Sequence, residues 1–112
     1  MVIYKIFRTP EHEAFLAAGE TAGAPVDLAD GFIHFSTAAQ VRETAAEHFA
    51  GETDLVLLAL EADALGEALK WEPSRGGALF PHLYRRMTPD DVLWTAALPM
   101  GDRGHVFPEA LP

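Results

Sequence analysis

A chain of 112 residues with a formal charge of −9 can bury one core, and it has no general electrostatic reason to bind DNA or an anionic membrane. The absence of cysteine excludes disulfides, thiolate nucleophiles and cysteine metal sites. No apolar run approaches the roughly 20 residues of a membrane span, and the start Met-Val-Ile-Tyr-Lys-Ile-Phe does not read as a secretion leader, so the expectation is a single soluble, cytoplasmic domain.

Val2 to Phe7 is β-branched and aromatic and reads as a strand. Thr9-Pro10 starts a helix, with Thr9 as cap and Pro10 where its missing N–H costs nothing, and Gly19 closes it. Thr21 to Asp30 reads as a loop in which Asp27 and Asp30 make Asx turns, orient a neighbour or meet a ribose. Gly31 to Ser36 reads as one short strand, with Phe32, His34 and Ser36 on one face and Ile33 and Phe35 on the other. Thr37-Ala-Ala-Gln40 has capping-box spacing and opens a helix that runs to about Ala50. Asp54 to Leu60 is an uninterrupted apolar run, which predicts a central strand buried on both faces. Glu61 to Leu69 reads as a short helix interrupted by Gly66. Strands follow near Phe80–Arg85 and Val92–Leu98, and the remainder to Pro112 reads as irregular. The mixed order of elements predicts an α+β class, with a mixed β-sheet and two to three helices.

The segment from Lys70 to Arg86 holds four of the eight basic residues and one acid, a local balance of +3 in an acidic chain. Arg75-Gly-Gly is a basic turn that lets backbone approach a ligand, and Arg75 suits a two-point contact to phosphate. Pro81 points to an edge strand or bulge. His82, Tyr84 and Arg86 then share one strand face, a setting for an anionic ligand or a planar ring. For Arg85 and Arg86, surface solvation is the simpler reading.

His34 stands between two phenylalanines just before Ser36, Thr37 and a helix start, so an imidazole, two hydroxyls and free N–H groups meet there. That combination suits an anion or ribose; a buried histidine bonded to a backbone carbonyl is the other reading. Trp71-Glu72 reads either as a cleft-wall aromatic with its carboxylate or as a half-buried core tryptophan. His12 and His48 read as surface or cap residues, and His105 is uninformative. No His-x-x-x-His pair, serine elbow, Walker loop or GxGxxG is present; only a split site of His34, His82 and an aspartate could hold a metal, and none is expected.

Pro25-Val-Asp-Leu-Ala-Asp-Gly-Phe-Ile-His-Phe-Ser-Thr37, Trp71-Glu72 and Arg75-Gly-Gly-Ala-Leu-Phe-Pro-His-Leu-Tyr84 together resemble DUF952, a small bacterial family of unknown function. The resemblance spans nearly the whole chain. By remote similarity it implies an ADP-ribosyltransferase-like fold, with no tightly bound cofactor and NAD as a conceivable substrate. It implies that His34 contacts a ribose and that Tyr84 stacks on a planar ring with His82 beside it; Arg75, Ser36 and Thr37, on the reading of the residues themselves, would hold the ligand. The glutamate that activates transfer in many such enzymes has no clear counterpart, with Glu72 a candidate, and the Arg-His-Arg-Arg set of the RNA phosphotransferases is not evident. Two functions follow: an enzyme acting on NAD or on an ADP-ribosyl or phosphorylated substrate, or a catalytically silent module that binds a nucleotide-like ligand or a partner. The oligomeric state stays open.

Overall fold

The computed structural model describes residues 1–109 and Leu111, and of Arg75 the backbone alone. Strand β1 (Val2–Arg8) leads into helix α1 (Thr9–Ala18). Arg8, rather than Thr9, is the cap residue. Glu11 Oε1 accepts from the Arg8 backbone N–H at 2.8 Å, while Thr9 Oγ1 donates to the Asp54 carbonyl at 2.7 Å. Gly19 ends the helix in the left-handed conformation at φ 77°.

The segment expected as a loop contains helix α2 (Pro25–Asp30). Pro25 occupies its first turn, and the Ala24 N–H donates to Asp27 Oδ2 at 2.7 Å, so a carboxylate caps the helix three residues in. The strand expected over Gly31–Ser36 is two short pieces, β2 (Ile33–His34) and β3 (Ser36–Thr37), and they join different sheets. Helix α3 (Val41–His48) begins four residues after Thr37 because Gln40 closes a turn there. Gln40 Oε1 accepts from the Thr37 N–H at 3.0 Å, and the Gln40 N–H donates to the Thr37 carbonyl at 3.1 Å.

Strand β4 (Leu55–Glu61) pairs with β1 along all seven positions, from Val2↔Glu61 to Arg8↔Leu55. Its other edge pairs with β7 (Val92–Ala97), so the sheet order is β3-β1-β4-β7 and the apolar run is central as its sequence requires. Alternation splits the core across this sheet. Ile3, Phe7, Leu58 and Leu60 face one side with Phe15, Ile33, Phe35 and Leu83. Tyr4, Ile6, Leu55 and Leu57 face the other with Val41, Ala45 and Leu98.

A 3-10 segment (Ala62–Ala68), broken at Gly66, follows β4. It leads to β5 (Leu69–Pro73), a strand that the sequence reading did not separate from its surroundings. A tight turn over Arg75–Gly77 connects β5 to β6 (Leu79–Leu83), and the second sheet has the order β2-β6-β5. Pro81 therefore lies in a middle strand, not at an edge. Its carbonyl accepts from the Phe35 N–H where the two-residue β2 ladder ends, so the donor that proline lacks falls beyond that ladder. A short hairpin of β8 (Met100–Gly101) and β9 (Gly104–His105) gives regular structure to the tail expected to be irregular. The fold is a small α+β domain. Every ladder among the described residues is antiparallel, which replaces the expected mixed sheet with separate antiparallel sheets of four, three and two strands. No helix among the described residues is long and apolar enough to cross a membrane.

Candidate functional site

The chain leaves one sheet and enters the other at Phe35, and a cleft of about 540 Å³ opens beside this switch. His34 and His82 stand directly opposite each other in the β2–β6 register, with ring centroids 5.2 Å apart. The Phe32 ring stacks on His82 at 4.2 Å and also touches His34 and Tyr84, at 4.7 and 5.1 Å. Phe32 thus packs among His34, His82 and Tyr84, but of these three only His34 and His82 line the cleft.

Each imidazole is backed by a carboxylate. Asp27, completely buried, accepts four hydrogen bonds: Oδ1 takes the His34 backbone N–H at 3.0 Å and His34 Nδ1 at 2.6 Å, while Oδ2 takes Lys5 Nζ and the Ala24 N–H, both at 2.7 Å. Burial alone would raise the Asp27 pKa, but the bonds from His34 and Lys5 outweigh it and hold the group below the usual carboxylate range. Burial draws Lys5 below its ordinary value, against the opposing pull of Asp27. Lys5 Nζ also donates to the His34 carbonyl at 3.0 Å, so the ammonium fixes both ends of the Asp27–His34 contact.

His34 Nε2 faces a second carboxylate, Asp30 Oδ2, at 3.0 Å. The Nδ1–Asp27 contact is a hydrogen bond, whereas Asp30 comes within ion-pair distance of Nε2 without hydrogen-bond geometry. His82 is arranged differently. Its Nδ1 lies 2.8 Å from Glu72 Oε1, and the same oxygen accepts from Tyr84 OH at 2.7 Å. The Tyr84 and His82 bonds, in that order, lower the Glu72 pKa, and the Tyr84 phenol is raised in return. With Nδ1–H donating to Glu72, His82 Nε2 carries a lone pair. His82 is only 4% exposed and lines the cleft, yet this nitrogen has no partner among the described residues. A buried polar atom without a partner calls for a bound water or a ligand atom.

Ser36 lines the cleft with its hydroxyl 2.8 Å from that of Thr44. Thr37 is not part of the lining, and its N–H is engaged by Gln40. The Arg75 side chain, expected to hold phosphate, lies outside the described residues. Arg85 makes a two-point contact with Asp91 at 2.9 and 3.0 Å, and Arg86 pairs with Glu20 at 3.3 Å, so neither joins the cleft. Trp71 is 40% exposed and is not a core residue. His48 lines the cleft, His12 packs on Phe15, and His105 contacts the Glu52 carbonyl. Among the described residues no group of three side chains comes together that could hold a metal ion.

Lys5 and Phe32 escaped the sequence reading as site residues. The signal for Lys5 was present, since one lysine inside Val-Ile-Tyr-Lys-Ile-Phe cannot be buried without a carboxylate partner. Phe32 gave no such signal, because its role depends on the β2–β6 register.

The sequence profile of a family described as "Protein of unknown function (DUF952)" matches residues 6–95. No curated protein matches the chain. Among solved structures, the chain is similar to the X-ray crystal structure of protein CC0527 from Caulobacter crescentus. The two are 52% identical, with 94% of this chain and 92% of that one covered and a TM-score of 0.90. The solution NMR structure of CC0527 gives 53% identity, coverage of 93% and 90%, and a TM-score of 0.84. Both were structural genomics targets, and their descriptions state no activity.

Proposed function

The chain belongs to the DUF952 family, and on that premise we propose that its cleft binds a nucleotide-like ligand, NAD or an ADP-ribosyl or phosphorylated compound, and that His82 exchanges a proton with it. The observation that carries this reading is the His82 Nε2 lone pair, buried, polarised through Nδ1 by Glu72, and without a partner among the described residues. A ribose hydroxyl or a water oriented by the ligand completes that nitrogen. The divergence of two antiparallel sheets beside His34, and the aromatic cluster of Phe32 and Tyr84, support the resemblance to ADP-ribosyltransferases.

As an enzyme the cleft would work as follows. The bond between the ribose and nicotinamide of NAD breaks, and its electron pair leaves with neutral nicotinamide. The oxygen of water or of an acceptor hydroxyl forms the new bond to the ribose carbon, and its proton passes to His82 Nε2 while Nδ1–H stays on Glu72. Tyr84, which donates to the same Glu72 oxygen, keeps that carboxylate charged and in place. A second reading, a binding module without turnover, is favoured by one fact: Glu72 already accepts from two side chains, which leaves it less free to orient a ligand hydroxyl.

A thermal-shift panel of NAD, ADP-ribose, mononucleotides and 5′-phosphorylated RNA tests the proposal, since a ligand at 100 times its Kd adds about 2.7 kcal/mol to stability. Release of nicotinamide from NAD separates the two readings. A shift with turnover supports the enzyme, and a shift without turnover the binding module. No shift across the panel overturns both.

A further inference from the structure

We propose that His34 Nε2 is an oxyanion subsite of the cleft, filled in this structure by the chain's own Asp30, and that a phosphoryl oxygen of the ligand takes the place of that carboxylate. The inference rests on the reading of the cleft as a nucleotide-like site and adds the point at which the ligand's anionic group is received.

The two carboxylates on His34 differ in kind. Asp27 is buried and accepts four hydrogen bonds, so it is a fixed part of the scaffold. Asp30 has a side chain 47% exposed, ends α2 and lines the cleft. His34 Nε2 is its only partner among the described residues. Exposed ion pairs of this kind are weak and yield readily, whereas a buried one does not. Gly31 follows at φ 86°, a conformation that turns the chain away immediately after Asp30.

Charge decides what replaces it. Lys5 offsets Asp27, and Asp30 places a further anionic oxygen 3.0 Å from His34 Nε2. When Asp30 swings out, one negative charge leaves the cleft and Nε2 is uncovered. An anionic phosphoryl oxygen replaces both the charge and the contact, while a neutral hydroxyl replaces only the contact. Asp30 thus acts as an internal competitor that raises the ligand concentration needed to fill the subsite.

The test follows the His34 ring nitrogens by 15N NMR during titration with inorganic phosphate, in wild type, Asp30→Ala, Asp30→Asn and Glu13→Gln. The last removes the same charge from an exposed position that does not line the cleft. Half-saturation at His34 should fall about two- to fivefold in Asp30→Ala, the factor that corresponds to losing an exposed ion pair. Asp30→Asn, which keeps the shape of the side chain should truncation disturb α2, should change in the same direction, and Glu13→Gln should match wild type. Equal half-saturation in wild type and both Asp30 variants, or no response at His34 in any of them, overturns the inference. Phosphate bound tighter by the Asp30 variants, with no nucleotide bound by any protein, supports the subsite and overturns only the nucleotide reading. ADP-ribose bound with His34 unmoved overturns the subsite alone.

Discussion

Asp27→Asn should be among the most destabilising conservative changes in this protein. All four atoms that contact the Asp27 carboxylate are donors: His34 N and Nδ1 on one oxygen, Lys5 Nζ and Ala24 N on the other. An asparagine has one oxygen and one NH2 group, so in either orientation its NH2 meets two donors. The lost charge also leaves the buried Lys5 ammonium with only the His34 carbonyl as partner. Breaking a buried ion pair from one side costs about 3–5 kcal/mol, against a total of about 5–15 kcal/mol for a domain. At about 4–6 °C per kcal/mol for this chain length, Tm should fall by roughly 12–30 °C. Lys5→Met should cost less, because Asp27 keeps three donors, and the double variant should fall short of the sum by about 1–3 kcal/mol. Urea unfolding at pH 7 on the four proteins of this cycle is the assay. A loss under about 0.5 kcal/mol for Asp27→Asn, the range of an ordinary surface change, would refute the reasoning.

The same group sets a pH dependence. The folded Asp27 pKa lies below its unfolded value, so this contribution is complete above the ordinary carboxylate value of about 3.9 and is lost as pH falls through the folded one. Asp27→Asn should flatten the acid limb of stability against pH, measured by thermal unfolding across the acid range. Leu58→Ala, fully buried in the central strand, should cost about 2–5 kcal/mol in chemical unfolding, and a much smaller loss would contradict the central placement of β4. Gly23→Ala should destabilise by more than about 1 kcal/mol, since its φ of 109° disfavours a side chain and an added Cβ would collide with Asp27. Gly19→Ala, where an added Cβ meets open space, should cost less in the same unfolding assay. Tyr84→Phe should let the Glu72 pKa rise toward its ordinary value, visible in a carboxyl 13C titration, because the phenol supplies the largest stabilisation of that charge.

Where local chemistry decides structure, the sequence was sufficient. β4 was legible because six consecutive apolar residues, Leu55 to Leu60, leave no polar face and so only a central position, and α1 because proline and glycine mark its ends. The pairing of His34 with His82, Tyr84 and Glu72 was legible as a set of residue types, but not as a register. α2 was missed because six residues are too short for a periodic signal, although Pro25 and Asp27 stood at the first and third helical positions. Asp27 and Asp30 were read as turn residues, as groups that orient a neighbour or as ribose contacts; Asp27 is the buried partner of His34, and Asp30 lies exposed beside it. The break at Phe35 was illegible, since Ile33 to Thr37 has the alternation of one strand and only the long-range pairing to β1 and β6 divides it.

The central claim is that His82 Nε2 awaits a ligand in the cleft. Calorimetric titration of ADP-ribose into wild type and His82→Gln tests it most directly, with thermal unfolding to establish that both are folded. The account predicts saturable binding to wild type and a loss of about 0.5–1.5 kcal/mol in the variant, the range for a hydrogen bond between neutral groups. Equal affinity in the two proteins, or no binding by wild type, would contradict it.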